Sequence, residues 1–278
     1  MQSSPSLSNT AETVKFAAWF HWFAVALLAT AFAVVLATIY APGLRLPGNP
    51  AAPEVALLLL ASGCTIFGMA RQLPLENVLL AAALCALIGG AAHLLGTVTG
   101  IPFGPFTFTT EIGPRLLGKL PWAVPLLWVV AVFNSRGVAR LILRPWRKTK
   151  TYGFWLIGLT AALTMLFTLA LDPFASRIKH YWFWTPAQFP LTWQDAPLVN
   201  FLSWGIVTLL ILAFATPALI SKQLSHRSTP DFHPLCVWLG GILVFGSACA
   251  QSRLWSAVIA DAAIGIVAII FAIRGARW

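Results

Sequence analysis

Acidic residues are scarce in this chain. Only 8 of its 278 residues are Asp or Glu, and charged residues of both signs make up 9%, where a domain exposed to water carries about 25%. So little charge excludes an ordinary water-soluble globular protein. Cysteine is equally sparse. Cys64, Cys85, Cys236 and Cys249 all sit in apolar runs, and none forms a CxxC pair, so neither a zinc site nor a redox motif is expected. They read as small buried hydrophobes.

Other absences narrow the chemistry further. No GxGxxG or GxxxxGK[ST] is present to hold a dinucleotide or nucleotide. The histidines stand singly, which excludes a di-iron hydroxylase with clustered ligands. Paired Asp-rich motifs for a magnesium diphosphate are missing, as an isoprenoid transferase would need. None of the six lysines falls within an expected span, so a retinal Schiff base is excluded. The site is therefore expected to use no cofactor and no metal. The net charge of +10 lacks a dense basic patch with interleaved aromatics outside one short loop. It reads as loops facing anionic lipid and cytoplasm, not nucleic acid.

What remains is apolar. Hydrophobic residues make up 59% of the chain and the mean hydropathy is +0.81. A bilayer core of about 30 Å takes roughly 20 apolar residues to cross, and eight runs qualify: about 16–40, 53–70, 76–96, 121–143, 152–172, 198–220, 233–250 and 254–273. Many are rich in Leu and Ala without a period of two, so helices are expected rather than a barrel. The predicted fold is an all-α transmembrane bundle: a polar tail over 1–15, then one integral membrane domain over 16–278. The first run is too long for a signal-peptide core and is expected to be a retained span.

Lys and Arg bias sets the expected orientation. One face collects Lys15, Arg71, Arg144, Arg147, Lys148, Lys150, Lys222, Arg227, Arg274 and Arg277. The other receives Arg45, Arg115, Lys119, Arg177, Lys179 and Arg253. The densest basic stretch, RPWRKTK from Arg144 to Lys150, reads as a topology signal. Both termini are then cytoplasmic, in a bacterial inner membrane. The two longest loops, Thr97–Leu120 and Pro173–Pro197, share the opposite side. Both are too apolar for disorder, and they are expected to fold over the helix ends and close one cavity.

The first loop carries Phe103, Phe106 and Phe108, spaced so that one side of an extended segment can be aromatic. Gly104 and its neighbouring prolines force tight turns, and Glu111 follows. Taken alone, this loop also fits an interfacial aromatic belt. The second loop opens on Asp172, with Trp182 and Trp184 within a dozen residues. A carboxyl at membrane depth costs about 2.5–3.5 kcal/mol, unless it merely pairs with Arg177 or Lys179. Asp195 reads as a helix cap or an exposed acid. Asn200 and Trp204 lie one turn apart on the next helix, and an amide in an apolar run needs a partner. His93 sits near Asp172 in depth, as a packing residue or as a functional one. His21 faces the other leaflet.

Three stretches resemble the membrane carotenoid biosynthesis proteins. GIPFGPFTFTTEIGPRLLGKLPWAVPLLW (Gly100–Trp128) is similar to that family's FG-aromatic-x-aromatic-T…LG…G-x-P…P-x-x-W signature. LDPFASRIKHYWFW matches its LDP and aromatic box, and PLVNFLSWG its P-x-x-NF-x-x-W element. Phe106 and Phe108 stand where the family tends to have Tyr, and His93 where an acid is expected. The resemblance implies an acyclic carotenoid substrate, the bilayer as surroundings, and other enzymes of that pathway as neighbours. It also implies hydration of a terminal 1,2 double bond. In that chemistry a neutral carboxylic acid, favoured by burial, protonates carbon 2. Water then takes the tertiary cation at carbon 1, which ring faces stabilise by about 0.5–2 kcal/mol each. Asp172 is the expected acid, with Glu111 second; Asn200 would position the water, and His93 or the conjugate base would accept its proton. Phe103, Gly104, Phe106, Phe108, Trp182, Trp184 and Trp204 would hold the end group. A cyclase, and a carotenoid-binding or assembly subunit without catalysis, remain as alternatives.

Overall fold

The computed structural model describes residues 7–41, 43–44, 51–185, 191–220 and 229–278, with side chains from Trp22 onward. The side chains of Lys15 and His21, together with Arg45, Lys222 and Arg227, lie outside the described residues. Eight helices long and apolar enough to cross a membrane run up and down: α1 (Leu7–Tyr40), α2 (Ala52–Ala70), α3 (Leu75–Thr99), α4 (Ala123–Ile142), α5 (Tyr152–Asp172), α6 (Leu198–Ala215), α7 (His233–Gln251) and α8 (Trp255–Ala276). The protein is an integral membrane helical bundle.

Helices are the outcome because a chain in hydrocarbon must satisfy its own N–H and C=O groups. The side chains sort by what surrounds them. Leu87, Ile206, Ile259 and Phe271 are exposed on outer faces, where lipid tails meet them. α4 is the central helix and the one most fully buried in the bundle. Several polar groups inside are paired. Asn134 of α4 donates to Thr65 Oγ1 of α2 at 2.9 Å and to the Val130 carbonyl at 2.8 Å. On α5, Thr160, Thr164 and Thr168 lie one turn apart, each returning its hydroxyl to the carbonyl four residues back.

Two boundaries differ from the sequence reading. α1 begins at Leu7, ahead of the apolar run, so residues 7–15 are helical. The fifth span does not stop at Asp172: it widens into a π-helical turn, Pro173–Ile178, with Lys179 N–H bonding the Phe174 carbonyl at 2.9 Å. Pro173 has no N–H for the carbonyl of Leu169, and the indole of Trp193 supplies the missing donor at 3.2 Å. Helix thus carries through the acid into the loop. Cys236 is a further correction: it is exposed, while Cys64, Cys85 and Cys249 are buried.

The two long loops meet at one end of the bundle, as expected. β1 (Phe106–Phe108) pairs antiparallel with β4 (Trp182–Trp184), Phe106 opposite Trp184 and Phe108 opposite Trp182. The pairing extends through Thr185 N–H to the Pro105 carbonyl, and through Thr109 N–H and Oγ1 to the Tyr181 and His180 carbonyls. The pleat puts Phe106 and Phe108 inward and leaves Thr107 outward. Two shorter pairings, β2 (Arg115–Leu116) with β3 (Leu120–Pro121) and β5 (Thr192–Trp193) with β6 (Ala196–Pro197), tighten the loop ends.

Candidate active site

Asp172 is 1% exposed and is held by three neutral donors. Its Oδ1 accepts the indole N–H of Trp182 at 3.1 Å and that of Trp184 at 3.0 Å; its Oδ2 accepts Nδ2 of Asn200 at 3.0 Å. The ion-pair reading of this acid is corrected here. Arg177 pairs with the exposed Asp195 at 3.3 Å and Lys179 with Glu54. A carboxylate oxygen has two lone pairs, so Oδ1 is filled and Oδ2 keeps one open position. That position borders a small cavity lined by Asp172, Asn200, His93, Trp204 and the rings of the paired loops.

The cavity measures 20 Å3, about the space one water molecule needs. Phe103, Phe106, Phe108, Trp182, Trp184 and Trp204 wall it. Of the three phenylalanines, only Phe106 and Phe108 share a strand; Phe103, three residues ahead of Phe106, reaches in from the preceding turn. Because both strand positions are Phe, no phenol enters the cavity from β1, and its polar groups come from Asp172, Asn200, His93 and Thr168.

His93 stands against Phe103, ring centroids 4.1 Å apart, and its Nδ1 accepts the indole N–H of Trp128 at 3.1 Å. An indole can only donate, and the same Nδ1 lies 3.3 Å from the carbonyl of Gly89, which can only accept, so the ring is held at Nδ1 by its own helix and by α4. Trp128 entered the sequence reading only as the last residue of the P-x-x-W element, with no role assigned. It stacks on Trp204 at 3.8 Å with an interplanar angle of 20°. Room for it comes from Gly89, where an added Cβ would lie 2.2 Å from the Trp128 ring. Consecutive glycines inside a helical run, Gly89 and Gly90, were the available signal.

Two expected residues lie outside the cavity. Glu111 is exposed, its backbone N–H turned to Thr109 Oγ1 at 3.2 Å, and it reaches neither Asp172 nor the cavity lining. Gly104 is buried, with φ +95°, and a Cβ there would lie 2.9 Å from Pro197, so it closes the turn against α6 without lining the site. Ser203 fastens the same turn, donating to the Pro102 carbonyl at 2.6 Å.

A second, apolar cavity of 120 Å3 adjoins the first and shares Val124, Leu127, Leu171 and Trp182 with it. It extends from the loop end toward the bundle interior, past Phe32 of α1, Ala61 of α2 and Val130 of α4. Its polar groups are Glu54, held by Lys179, and the Tyr181 hydroxyl. Burial, with Glu54 and Glu111 adding to it, pushes the Tyr181 phenol well above its ordinary range, so it stays neutral. No group of three metal-ligating side chains occurs among the described residues.

Comparison with known proteins gives this geometry a context. A family model described as carotenoid biosynthesis protein matches residues 54–270, most of the chain and all of the site. The chain is 31% identical over 125 residues to a bisanhydrobacterioruberin hydratase of Haloarcula japonica. That alignment covers 44% of this chain and 40% of the relative. No solved structure matches.

Proposed function

The chain belongs to the carotenoid biosynthesis protein family, and from that premise we propose that it adds water across the terminal 1,2 double bond of an acyclic carotenoid. One observation carries the reading. A buried acid with a single open position stands where a water-sized polar cavity meets an apolar slot. The relative is a hydratase by its printed name, and the similarity, aligned over 40% of its length, supports the same reaction type here.

In this reading the apolar end group lies in the slot and reaches past Trp182 to Asp172. Neutral Asp172 transfers its Oδ2 proton to carbon 2, and the π pair forms the new C–H bond. A tertiary cation is left at carbon 1. The electron-rich rings around the cavity stabilise it without a nucleophile that would trap it. As the carboxylate forms, the N–H groups of Trp182, Trp184 and Asn200 already point at it, so its charge develops against preorganised donors. A water held by Asn200 beside His93 bonds to carbon 1 through oxygen, and its surplus proton returns to Asp172. Atoms and charge balance: one water is consumed and the acid is regenerated. Cyclisation would need no water site, and the small polar cavity favours hydration over it.

By the distribution of Lys and Arg, the Asp172 end faces outward from a bacterial inner membrane, with both termini cytoplasmic. The test is expression of the full chain in a host that makes an acyclic carotenoid such as lycopene, followed by mass spectrometry of the pigments. The expected product is heavier by one water for each hydrated end. An unchanged mass with a new chromophore would mean cyclisation, and unmodified pigment co-purifying with the protein would mean binding alone.

A further inference from the structure

At the end of the bundle opposite Asp172, a cavity of 100 Å3 opens between the ends of α2 and α4 and the starts of α5 and α7. Its lining includes Arg140, Arg144, Arg147, Tyr152, Gln72 and Asp231. Three guanidinium groups thus meet one carboxylate. That carboxylate is already engaged: Oδ1 accepts the N–H of His233 at the start of α7 at 3.1 Å, and Oδ2 accepts Gln72 Nε2 at 2.9 Å. Arg140 donates to the other end of the same amide, Gln72 Oε1, at 3.2 Å. Gln72 therefore stands between Asp231 and Arg140, in a concave, donor-rich space whose lining holds more arginine than carboxylate.

The surroundings say what that charge meets. Trp146, Phe154 and Trp155, beside the arginines in the α4–α5 connection and the first turn of α5, are 55%, 80% and 64% exposed. Large rings displayed at a helix end sit at headgroup level in a bilayer. A planar guanidinium matches phosphate oxygens two at a time, and basic pockets between helix ends at that depth suit lipid phosphate. We propose that this cavity binds the phosphate of an anionic phospholipid headgroup, its acyl chains running down the apolar faces beside Trp146 and Trp155. The site is separate from Asp172 and stands whether or not hydration is the activity.

The test uses the full-length protein, purified in detergent and stripped of lipid, with thermal unfolding as the readout. Phosphatidylglycerol is expected to raise the midpoint by roughly 5 °C. Phosphatidylcholine and inorganic phosphate are expected to give no comparable rise. The R140Q/R144Q/R147Q variant should lose the phosphatidylglycerol response. If that variant fails to insert, R147Q, which keeps Lys148 and Lys150 to hold topology, carries the comparison and should lose about half of it. Equal shifts with phosphatidylglycerol and phosphatidylcholine overturn the proposal, as does a full shift with inorganic phosphate alone. An undiminished response in the arginine variants also overturns it.

Discussion

The indole N–H of Trp184 lies 3.0 Å from Oδ1 of Asp172, twelve residues earlier in the chain. The π-helical turn and β4 bring the two together, and the pairing of β4 with β1 keeps them there. Trp182 reaches the same oxygen. This shared acceptor makes Oδ1 an anchored atom and leaves Oδ2 to face the cavity.

Removing the acid tests the central assignment. Asp172→Asn is expected to lower hydration at least a hundredfold while the protein still inserts and folds, because Asn keeps the volume and one acceptor oxygen. Glu111→Gln, at an exposed position off the cavity, is expected to retain wild-type turnover. Pigment mass spectrometry with membrane protein quantified in parallel reads both. Wild-type hydration by the Asn variant removes Asp172 from the mechanism.

The paired indoles should act as a unit. Trp184→Phe and Trp182→Phe each delete one donor to Oδ1 and are expected to cost about a hundredfold in turnover, the lower end of the range for a lost charge-stabilising hydrogen bond. The double variant should lose less than the product of the two, because both donors share one oxygen. Strict multiplicativity would show that the indoles do not act through Asp172.

Trp128 is not itself a wall of the small cavity, but it holds two residues that are, bonding His93 and stacking on Trp204. Trp128→Phe preserves a ring against Trp204 but removes the proton that engages Nδ1. Turnover is expected to fall about tenfold, read by pigment mass spectrometry against quantified membrane protein. Unchanged turnover would leave Trp128 a packing residue.

Gly89 is a stability prediction. A methyl group placed 2.2 Å from the Trp128 ring has nowhere to go in a packed helix pair, and such overpacking costs about 1–3 kcal/mol. Gly89→Ala should lower the unfolding midpoint by several degrees, whereas Gly158→Ala, where nothing lies within reach of the added carbon, should not.

Orientation is measurable with cysteine labelling. Cys236 is exposed and must first be replaced by Ser. Leu117→Cys, at the 85% exposed tip of the first loop, is then expected to react with a membrane-impermeant thiol reagent from outside the cell. Lys148→Cys is expected to react only after the membrane is opened. The reverse pattern inverts the topology.

Eight spans and two loops at one end were legible in the chain because a bilayer imposes a length and forbids unpaired backbone, and both constraints act on consecutive residues. Asp172 and the tryptophans after it were legible because an acid in an apolar run is costly and stands out. Which groups meet that acid was not. Glu111 was the second choice of acid and Asn200 the amide to position water, but one turns to solvent and the other to Oδ2, a choice made by how α6 packs on α5. Trp128 as the partner of His93 and Trp193 as the cap on Leu169 depend on contacts between elements far apart in sequence. Local pattern sets which segments enter the membrane, since each answers to lipid on its own. Packing decides direction and partnership, since a hydrogen bond needs two groups within about 3 Å, and only the folded bundle brings them that close.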